Sequence, residues 1–499
     1  MIHIQSKSLK QKWYKCGLVL LPLILLTACS TNKATGGRSF TAFMSEEEER
    51  RVGAEEHPKI MKEFGGAHGS LRLRSYINKV GKALSQVSEM PNLPYKFTIL
   101  NDEKVNAFAL PGGYVYITRG LLALAENEAE MAGVLAHEIG HITARHTAQR
   151  YSASMAKDIG LTVLSVLSSA AGVPTGLGQA VSFGAQAAVQ GYSRKQELEA
   201  DMIGVRYMTR LGYSPDAMTS FFKKMGAHAE LEAKILGNVK VSHNIMSTHP
   251  RTTDRIEQAI KLAKTKPVTN PLIKRNAYLA RINGMTFGDD PAQGIRKGRF
   301  FTHSDLRIQF EVPPNFVLFN SPNQVIAIGP NKSRIIFDMA NPAYIRQSGS
   351  LRKYLLTHWG SNLDLQDIEL VDVNGMRATT GSGRLKTGLG PRDIRLLVIK
   401  GAGDKVFRLA FITPPEMTQK LGEAFRRTTY SFRRLSQAEA KDIHPLKVRL
   451  TKVRAGDSVK SLSKHMPFTK YKHEWFRMLN GLSKDDHLTV GQQVKIISD

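Results

Sequence analysis

The residue types best suited to chemistry lie in the stretch LAHEIGH, residues 135–141. Positions four residues apart share one face of a helix, so His137 and His141 can direct imidazole nitrogens at one cation. Glu138 stands beside that cation, where it can act as a base. The H-E-x-x-H spacing indicates a catalytic metal site, but the same five letters also arise by chance. Further motifs in the sequence are needed to distinguish the two.

A third candidate ligand follows in the stretch SRKQELEAD, residues 193–201. Glu197 falls in the first turn of a predicted helix, and Asp201 lies one turn further on the same face. A hydrolytic zinc site uses three protein ligands and one open position, and two His with one Glu is a known set. His137, His141 and Glu197 therefore predict one zinc ion per chain. The alternative for the two carboxylates is a solvated helix face.

Such a site predicts a definite chemistry. Zinc lowers the pKa of a bound water towards neutrality and polarises a carbonyl. Glu138 would take the proton of that water as general base. Asp201 would accept a hydrogen bond from a ligand histidine and thereby hold its tautomer.

Capping signals place these residues on two helices. Asn127 to Glu130 resembles a capping box and predicts a long buried helix that runs to Arg150. Ser193 and Gln196 predict a second box. Further helices are predicted in 46–64 and 71–87 from their apolar spacing, and YKFTIL, VNAFAL and YVYIT predict a short antiparallel sheet. The region is therefore α+β.

Three ordered motifs resemble the M48 family of zinc metallopeptidases, and together they are far more specific than one. They are NAFALPGG at 106–113, HEIGH at 137–141, and Ser193-Arg194 followed by Glu197 and Asp201. The resemblance covers residues 45–265 and is nearest to the periplasmic lipoprotein members. It implies a mainly helical, gluzincin-like peptidase domain with a small antiparallel edge sheet.

The resemblance also implies roles for three further residues. Asn106 would bind substrate backbone at the sheet edge. His249, which precedes a proline, could block the open zinc position at rest, or could stabilise the oxyanion together with Arg255 during turnover. A turn residue is the alternative for Asn106 and for His249. His146 is interpreted as structural.

The N-terminus predicts export. Residues 1–15 are rich in lysine, and an apolar run of about eleven residues follows, which is too short to span a bilayer. The run ends in Leu-Thr-Ala-Cys, which resembles the bacterial lipobox. Residues 1–28 are therefore interpreted as a signal peptide, Cys29 as the lipidation site and 29–44 as a flexible tether. Ser30 after the cysteine implies the outer membrane in a Gram-negative cell.

The net charge limits the kinds of partner that the chain can bind, and the cysteine content limits its disulfides. The formal net charge is +27, and the basic residues are spread along the chain rather than clustered with aromatic residues. This pattern predicts no nucleic acid as partner and suits an anionic envelope surface, although a solvated basic surface is the alternative. The only cysteines are Cys16 and Cys29, so the mature chain would have no internal disulfide.

The rest of the chain predicts two more parts and one unusual segment. Residues 159–190 are apolar and rich in Ala, Gly and Ser, which favours a lid or hairpin near the site over a transmembrane pair. Residues 266–275 are interpreted as a linker, and 276–435 as a small α+β domain without a catalytic grouping. Residues 445–499 resemble a LysM-type βααβ module, which implies peptidoglycan as a partner; a structural cap is the alternative.

These observations together favour a lipid-anchored, zinc-dependent endopeptidase of the periplasm that acts on misfolded or stalled envelope proteins. One rival is a catalytically silent chaperone or assembly factor on the same scaffold. Another is a metallohydrolase that acts on peptidoglycan itself.

Overall fold

The computed structural model describes residues 29–169, 191–236, 249, 253–265, 267–388 and 390–499. The predicted signal peptide lies outside these residues, and so does most of the apolar stretch 159–190 with its predicted lid. Within the described ranges, no helix is both long and apolar enough to cross a membrane.

The first described element is a hairpin of β1 (Cys29–Thr31) and β2 (Arg38–Phe40). The amide of Asn32 donates to the carbonyl of Ala144 at 2.6 Å, and Arg206 donates to the carbonyl of Ala34 at 2.8 Å. The predicted flexible tether over 29–44 is therefore wrong. Its polar residues form buried contacts with distant helices, which composition alone does not indicate.

The region that follows is mainly helical, as predicted. Its helices are α1 (Glu46–Glu63), α2 (Leu71–Gln86), α3 (Arg119–Leu124), α4 (Glu128–Thr143), α5 (His146–Ser169), α6 (Arg194–Arg210), α7 (Asp216–Leu236) and α8 (Thr253–Thr265). The side chain of Asn127 caps α4, and Ser193 forms a capping box with Gln196 at α6, which confirms both predicted starts. The predicted continuation of α4 to Arg150 is wrong, because Arg145 has a φ of +54° and breaks the helix.

A three-stranded sheet lies beside α4. Its strands are β3 (Lys96–Leu100), β4 (Ala107–Leu110) and β5 (Tyr114–Thr118), in the order β3-β5-β4. β4 and β5 are antiparallel, whereas β3 and β5 are parallel, so the expectation of an antiparallel sheet is only partly correct. The loop 101–106 carries the chain past β5, and this crossing leaves β4 at the sheet edge.

The peptidase-like core extends beyond its predicted end. Leu272 donates its backbone N–H to Gly212 at 2.8 Å, and Ala129 donates to Ile273 at 3.3 Å. The next helix, α9 (Arg275–Ile282), buries Tyr278 in the apolar cluster that also contains residues of α2 and α4. Within the predicted linker, Leu272 and Ile273 are therefore joined to this core by backbone hydrogen bonds, while their side chains stay exposed. The first residues assigned to the second domain belong to this core.

The C-terminal residues also join this core. They form β18 (Leu446–Lys452), α14 (Val459–Lys464), α15 (Lys472–Leu479) and β19 (Gln493–Ser498). β18 pairs with β19 and, at its start, with β6 (Thr286–Phe287). Val448, Phe476 and Val494 belong to the same apolar cluster as α4. The order of elements is β-α-α-β, while the likeness to a LysM module stays a prediction.

A second body lies in the chain between β6 and β18 and is α+β, as predicted. Its smaller sheet has the order β17-β9-β8-β7, and its larger, fully antiparallel sheet has the order β10-β11-β12-β16-β15-β14-β13. The strands are β7 (Ile295–Lys297), β8 (Phe300–His303), β9 (Ile308–Glu311), β10 (Val317–Asn320), β11 (Val325–Ile328), β12 (Arg334–Met339), β13 (Gln366–Val373), β14 (Met376–Thr387), β15 (Gly390–Lys400), β16 (Val406–Thr413) and β17 (Arg433–Arg434). Its helices are α10 (Pro342–Ser348), α11 (Leu351–Tyr354), α12 (Pro415–Ser431) and α13 (Gln437–Lys441).

Candidate functional site

The two histidines of LAHEIGH lie side by side on α4. The distance between His137 Nε2 and His141 Nε2 is 3.0 Å, and both residues are buried. Their helix packs closely on α6 because the contact uses glycines. A Cβ atom added to Gly204 would lie 3.1 Å from the backbone nitrogen of His137, and one added to Gly140 would lie 3.1 Å from the carbonyl of Ala200.

This close approach brings Glu197 of α6 to the histidines. Glu197 Oε2 lies 3.6 Å from His137 Nε2, and Oε1 lies 3.5 Å from His141 Nε2. Glu197 and Asp201 are only 1% and 0% exposed, so the alternative of a solvated helix face is wrong. Burial by itself would raise the pKa of Glu197, but the neighbouring His249, His141 and His137 hold that pKa well below its usual value.

The structure adds His249 to this group from a distant part of the chain. Its Nδ1 atom lies 3.3 Å from His137 Nε2 and 3.0 Å from Glu197 Oε1. His249 is 2% exposed, which excludes the surface-turn alternative. Burial would lower its pKa, but the carboxylates of Glu197 and Glu138 outweigh burial and raise that pKa above the usual value.

The spacing of these four side chains fits a tetrahedral metal ion. One ligand atom from each of His137, His141, Glu197 and His249 lies within 4.8 Å of the others. Ligand atoms held around a tetrahedral zinc at the usual bond lengths lie about 3.3 Å apart. The distances of 3.0 to 3.6 Å given above lie around that value. Burial also lowers the pKa of His141 well below its usual value, which favours the neutral, metal-binding imidazole.

Glu138 is buried next to this group without a hydrogen bond. It is 1% exposed, and neither of its carboxylate oxygens has a hydrogen-bond partner among the described residues. His249 Nε2 lies 3.6 Å from Glu138 Oε1. Burial raises the pKa of Glu138. A buried carboxylate with unsatisfied oxygens is costly, and a polar group brought in with a metal would relieve that cost.

Asp201 and Arg255 support the histidine group from behind. Asp201 Oδ1 lies 2.8 Å from His137 Nδ1, where it can hold the tautomer that leaves Nε2 free to bind a metal. Arg255 donates to both oxygens of Asp201, at 2.7 and 2.8 Å, and its Nη1 lies 2.7 Å from Glu197 Oε2. Arg255 is 3% exposed. In this conformation its guanidinium therefore anchors two carboxylates of the site.

His146 was expected to be structural, but it touches a candidate ligand. The break at Arg145 turns the chain so that His146 Nδ1 lies 2.7 Å from His141 Nδ1. On its other side, His146 Nε2 lies 3.0 Å from Glu199 Oε2. Tyr192 covers the opposite face of His141, with ring centroids 3.7 Å apart. Neither Glu199 nor Tyr192 carried a signal in the sequence, since their contacts depend on the unforeseen helix break.

Asn106 and Cys29 lie elsewhere. Asn106 precedes the edge strand β4, is 2% exposed, and donates its backbone N–H to Thr118 Oγ1 at 3.0 Å. Its role as a substrate clamp stays a prediction. Cys29 is the first residue of β1, where it pairs with Phe40. Its lipidation also stays a prediction.

A small cavity lies next to the candidate metal group. Among the described residues, the free space next to His141 amounts to about 10 Å³, in a small cavity that Glu49, Pro111 and Tyr192 also line. A single water needs about that much room.

The chain is similar in sequence to one peptidase family and to several named proteases. The sequence profile of peptidase family M48 matches residues 72–263, which include the whole buried group. The beta-barrel assembly-enhancing protease of Yersinia pestis is 31% identical over 229 residues, or 44% of this chain and 45% of that protein. Its namesake in Escherichia coli (strain K12) is 31% identical over 194 residues, or 38% of each chain. Mitochondrial metalloendopeptidase OMA1 of Schizosaccharomyces pombe is 30% identical over 218 residues, or 42% of this chain and 59% of that protein. The chain spans about half the length of these relatives.

Proposed function

We propose, since the sequence profile of peptidase family M48 matches residues 72–263, that this chain is a zinc-dependent endopeptidase of the bacterial cell envelope. One observation carries the proposal: four side chains with potential metal-ligand atoms converge in the interior beside a buried carboxylate that has no hydrogen-bond partner among the described residues. Such a grouping is costly to bury without an ion, so its presence favours a metal-dependent reaction over a silent scaffold.

His137, His141 and Glu197 would hold the zinc ion through Nε2, Nε2 and a carboxylate oxygen. When bound, zinc supplies a Lewis acid that polarises a peptide carbonyl and makes water nucleophilic at neutral pH. Asp201 orients His137 through the 2.8 Å contact to its Nδ1 atom.

Glu138 is the proposed general base. Its two free oxygens take a proton from the attacking water and pass it to the amine that leaves when the peptide bond breaks. The raised pKa of Glu138 suits this exchange, because a catalytic carboxylate works best when its pKa approaches the working pH.

His249 is proposed to have two positions. Its Nδ1 atom lies 3.3 Å from His137 Nε2 and 3.0 Å from Glu197 Oε1, and from there it would serve as a fourth ligand and block access to the ion. When the site opens, His249 would leave that position and stabilise the oxyanion, and Arg255 would assist it. Asn106 would bind the substrate backbone from the start of the edge strand β4.

Misfolded or stalled envelope proteins are the proposed substrates, and the names of the two bacterial relatives support this choice. A lipid anchor at Cys29 would hold the chain at the outer membrane, facing the periplasm. Peptidoglycan is the proposed partner of residues 445–499.

The test is digestion of a reduced and carboxymethylated protein by the full-length chain in detergent with one equivalent of zinc. We expect cleavage by the parent chain, and none by a Glu138→Gln variant that still retains its zinc. Glu230→Gln, an exposed change on α7, is the matched control and should cleave normally. A zinc-loaded parent that binds the unfolded protein without cutting it would establish the silent scaffold, and release of fragments only from purified sacculi would establish a peptidoglycan hydrolase.

A further inference from the structure

A cavity of about 580 Å³ lies in the second body, between its larger sheet and α12. Neighbouring positions of β14, β15 and β16 form its floor, and Thr418, Gly422, Phe425 and Arg426 of α12 line the opposite side. None of the candidate metal ligands lines it. The volume falls within the range typical of ligand pockets. Between residues 290 and 435 the structure describes every residue except the uncharged Leu389, so the charges of this body can all be counted.

Two contacts hold α12 against the sheet on either side of an open stretch. Thr418 donates to Asp393 Oδ2 at 2.7 Å, and the ring of Phe425 lies 5.0 Å from that of Phe411, centroid to centroid. Gly422 lies between Thr418 and Phe425 on the same face of the helix. A Cβ atom added to Gly422 would have no atom from elsewhere in the described structure within 4 Å. The glycine therefore leaves free space between the helix and the sheet.

Arg395 of β15 presents spare hydrogen-bond donors to this space. It is half-buried, and its Nη2 atom donates to Thr429 Oγ1 at 2.6 Å and to the carbonyl of Phe425 at 3.3 Å. Its guanidinium lies over the ring of Phe411, 4.4 Å from the centroid. Its Nε and Nη1 atoms donate to no described residue, and neither of them is fully buried. These two donors are therefore accessible to a ligand in the cavity.

A second guanidinium lies near Arg395, and among the described residues no carboxylate acts on the pKa of Arg395. Burial lowers that pKa; Tyr430 opposes this effect, and Arg426 adds to it. Arg426 is exposed and forms no ion pair within the described ranges. An anion between the two guanidinium groups would favour the charged form of both. This end of the cavity therefore suits a negatively charged group.

The whole lining determines how large that negative charge can be. It contains three arginines and two aspartates, so one positive charge remains. Arg384 pairs with Asp393 at 2.6 Å, and Asp364 accepts from Gln366 Nε2 at 3.0 Å. A carboxylate has the single charge that balances this lining, whereas a phosphate monoester carries about −1.5 to −2 at neutral pH. The head group that fits is therefore a carboxylate.

The strands of the floor offer no free backbone groups to a peptide. β15 pairs with β14 on one side and with β16 on the other, so its N–H and C=O groups are already used. The interior of α12 satisfies its own backbone groups. A peptide held here would bury its N–H and C=O groups without partners, which is costly. Since the lining is mainly apolar, an alkyl chain fits it better.

We propose that this cavity binds a fatty acid, with its single carboxylate at Arg395 and Arg426 and its unbranched alkyl chain between Gly422 and the sheet. The carboxylate accepts hydrogen bonds from the free donors of Arg395 and forms an ion pair with Arg426. The alkyl chain packs along the apolar lining beside Phe425. The second body then has a binding function of its own, which requires neither zinc nor hydrolysis.

The test is photolabelling of the full-length chain, in a neutral detergent, with decanoic acid that carries a diazirine on its alkyl chain. Peptide mass spectrometry then maps the labelled residues. We expect saturable label on α12 or on the strands that face it, which unlabelled decanoate displaces and the cation decyltrimethylammonium does not. Gly422→Leu should abolish this label, because the leucine side chain fills the space. The variant should fold, since leucine is a better helix former than glycine.

Two further variants complete the experiment. Gln419→Leu is the matched control, because it adds the same side chain to the same helix at an exposed position outside the lining, and it should label like the parent. Arg426→Gln, also an exposed change, should raise the probe concentration at half-maximal labelling about threefold, as expected for the loss of a partly exposed ion pair.

Equal label in Gly422→Leu and the parent would overturn the fatty-acid site, and so would label that decanoate does not displace. Displacement by decyltrimethylammonium as strong as that by decanoate would reveal an apolar surface without preference for anions. Stronger displacement by decyl phosphate would assign a phosphate head group instead, and either of these two results also overturns the proposal. The labelling does not depend on zinc, so this proposal and the endopeptidase proposal can fail separately.

Discussion

Asp201 Oδ1 lies 2.8 Å from Nδ1 of His137, and the same carboxylate receives two hydrogen bonds from Arg255. Burial alone would raise the pKa of Asp201, but Arg255 and His137 hold it below its usual value. Asp201 is therefore an anion that can accept a hydrogen bond from the Nδ1–H group of His137. In that tautomer, Nε2 of His137 is free to bind a metal. The contact with Asp201 thus orients His137 for metal binding.

Asp201→Asn should weaken zinc binding by about 10- to 100-fold, because second-sphere partners of ligand histidines contribute that much. The measurement is competition with a chromogenic chelator, followed by circular dichroism to verify the fold. Asp216→Asn, an exposed change at the start of α7, is the control. Unchanged affinity in Asp201→Asn would contradict the orienting role.

His146→Ala should also weaken zinc binding, by about tenfold, since it removes the 2.7 Å contact to His141 Nδ1. Glu199→Gln should give a smaller loss in the same direction, because Glu199 acts on His141 only through His146. The chelator assay reports both affinities. If both variants bind zinc like the parent, His146 is a packing residue only.

His249→Ala should raise the basal rate of proteolysis several-fold if this side chain blocks the ion at rest, because its Nδ1 atom lies within 3.3 Å of His137 Nε2 and 3.0 Å of Glu197 Oε1. The measurement is the initial rate on an unfolded protein, together with zinc content by elemental mass spectrometry. Lower activity with one zinc retained would favour the oxyanion role alone. Loss of zinc would mean that His249 is a permanent ligand.

His228 should make the protein less stable in acid. Burial lowers its pKa from 6.5 to about 4, although Glu232 Oε2 lies 3.6 Å from its Nδ1. The unfolded chain therefore takes up a proton between pH 6.5 and 4 that the folded chain refuses. The free energy of unfolding therefore has its full value above pH 6.5, and protonation of His228 in the unfolded chain lowers it by about 2 kcal/mol at pH 5.

Urea unfolding at pH 7.5 and pH 5 measures this effect. His228→Gln should remove that part of the difference between the two pH values. His487→Gln, an exposed change, should leave the difference intact. An equal pH dependence in the parent and in His228→Gln would show that other groups cause it.

Lys495→Met should destabilise the whole peptidase body. Lys495 is completely buried, and its Nζ atom donates to the carbonyls of Ala123, Leu124 and Ala125 at the end of α3. Removing the ammonium leaves these carbonyls unsatisfied, at a cost of about 3 kcal/mol. Urea unfolding reports the loss, and the exposed change Lys484→Met serves as control. A stable variant would mean that the C-terminal segment is only loosely attached.

The sequence by itself determined the local part of this architecture. Asn127 and the Ser193 box predict where α4 and α6 begin, because the atoms that cap a helix lie three residues apart in the chain. The spacing of His137 and His141 likewise follows from one helical turn. These features depend on neighbours in sequence, so a pattern is enough to find them.

Only the tertiary structure decided the rest. It broke α4 at Arg145 and so brought His146 to His141, and it placed His249 against residues more than a hundred positions earlier. It also joined α9 and the C-terminal segment to the peptidase core, where the sequence predicted the start of a second domain and a separate module. Such contacts depend on which apolar faces bury each other across long separations. That choice is a property of the whole packed chain and is not encoded in any short pattern.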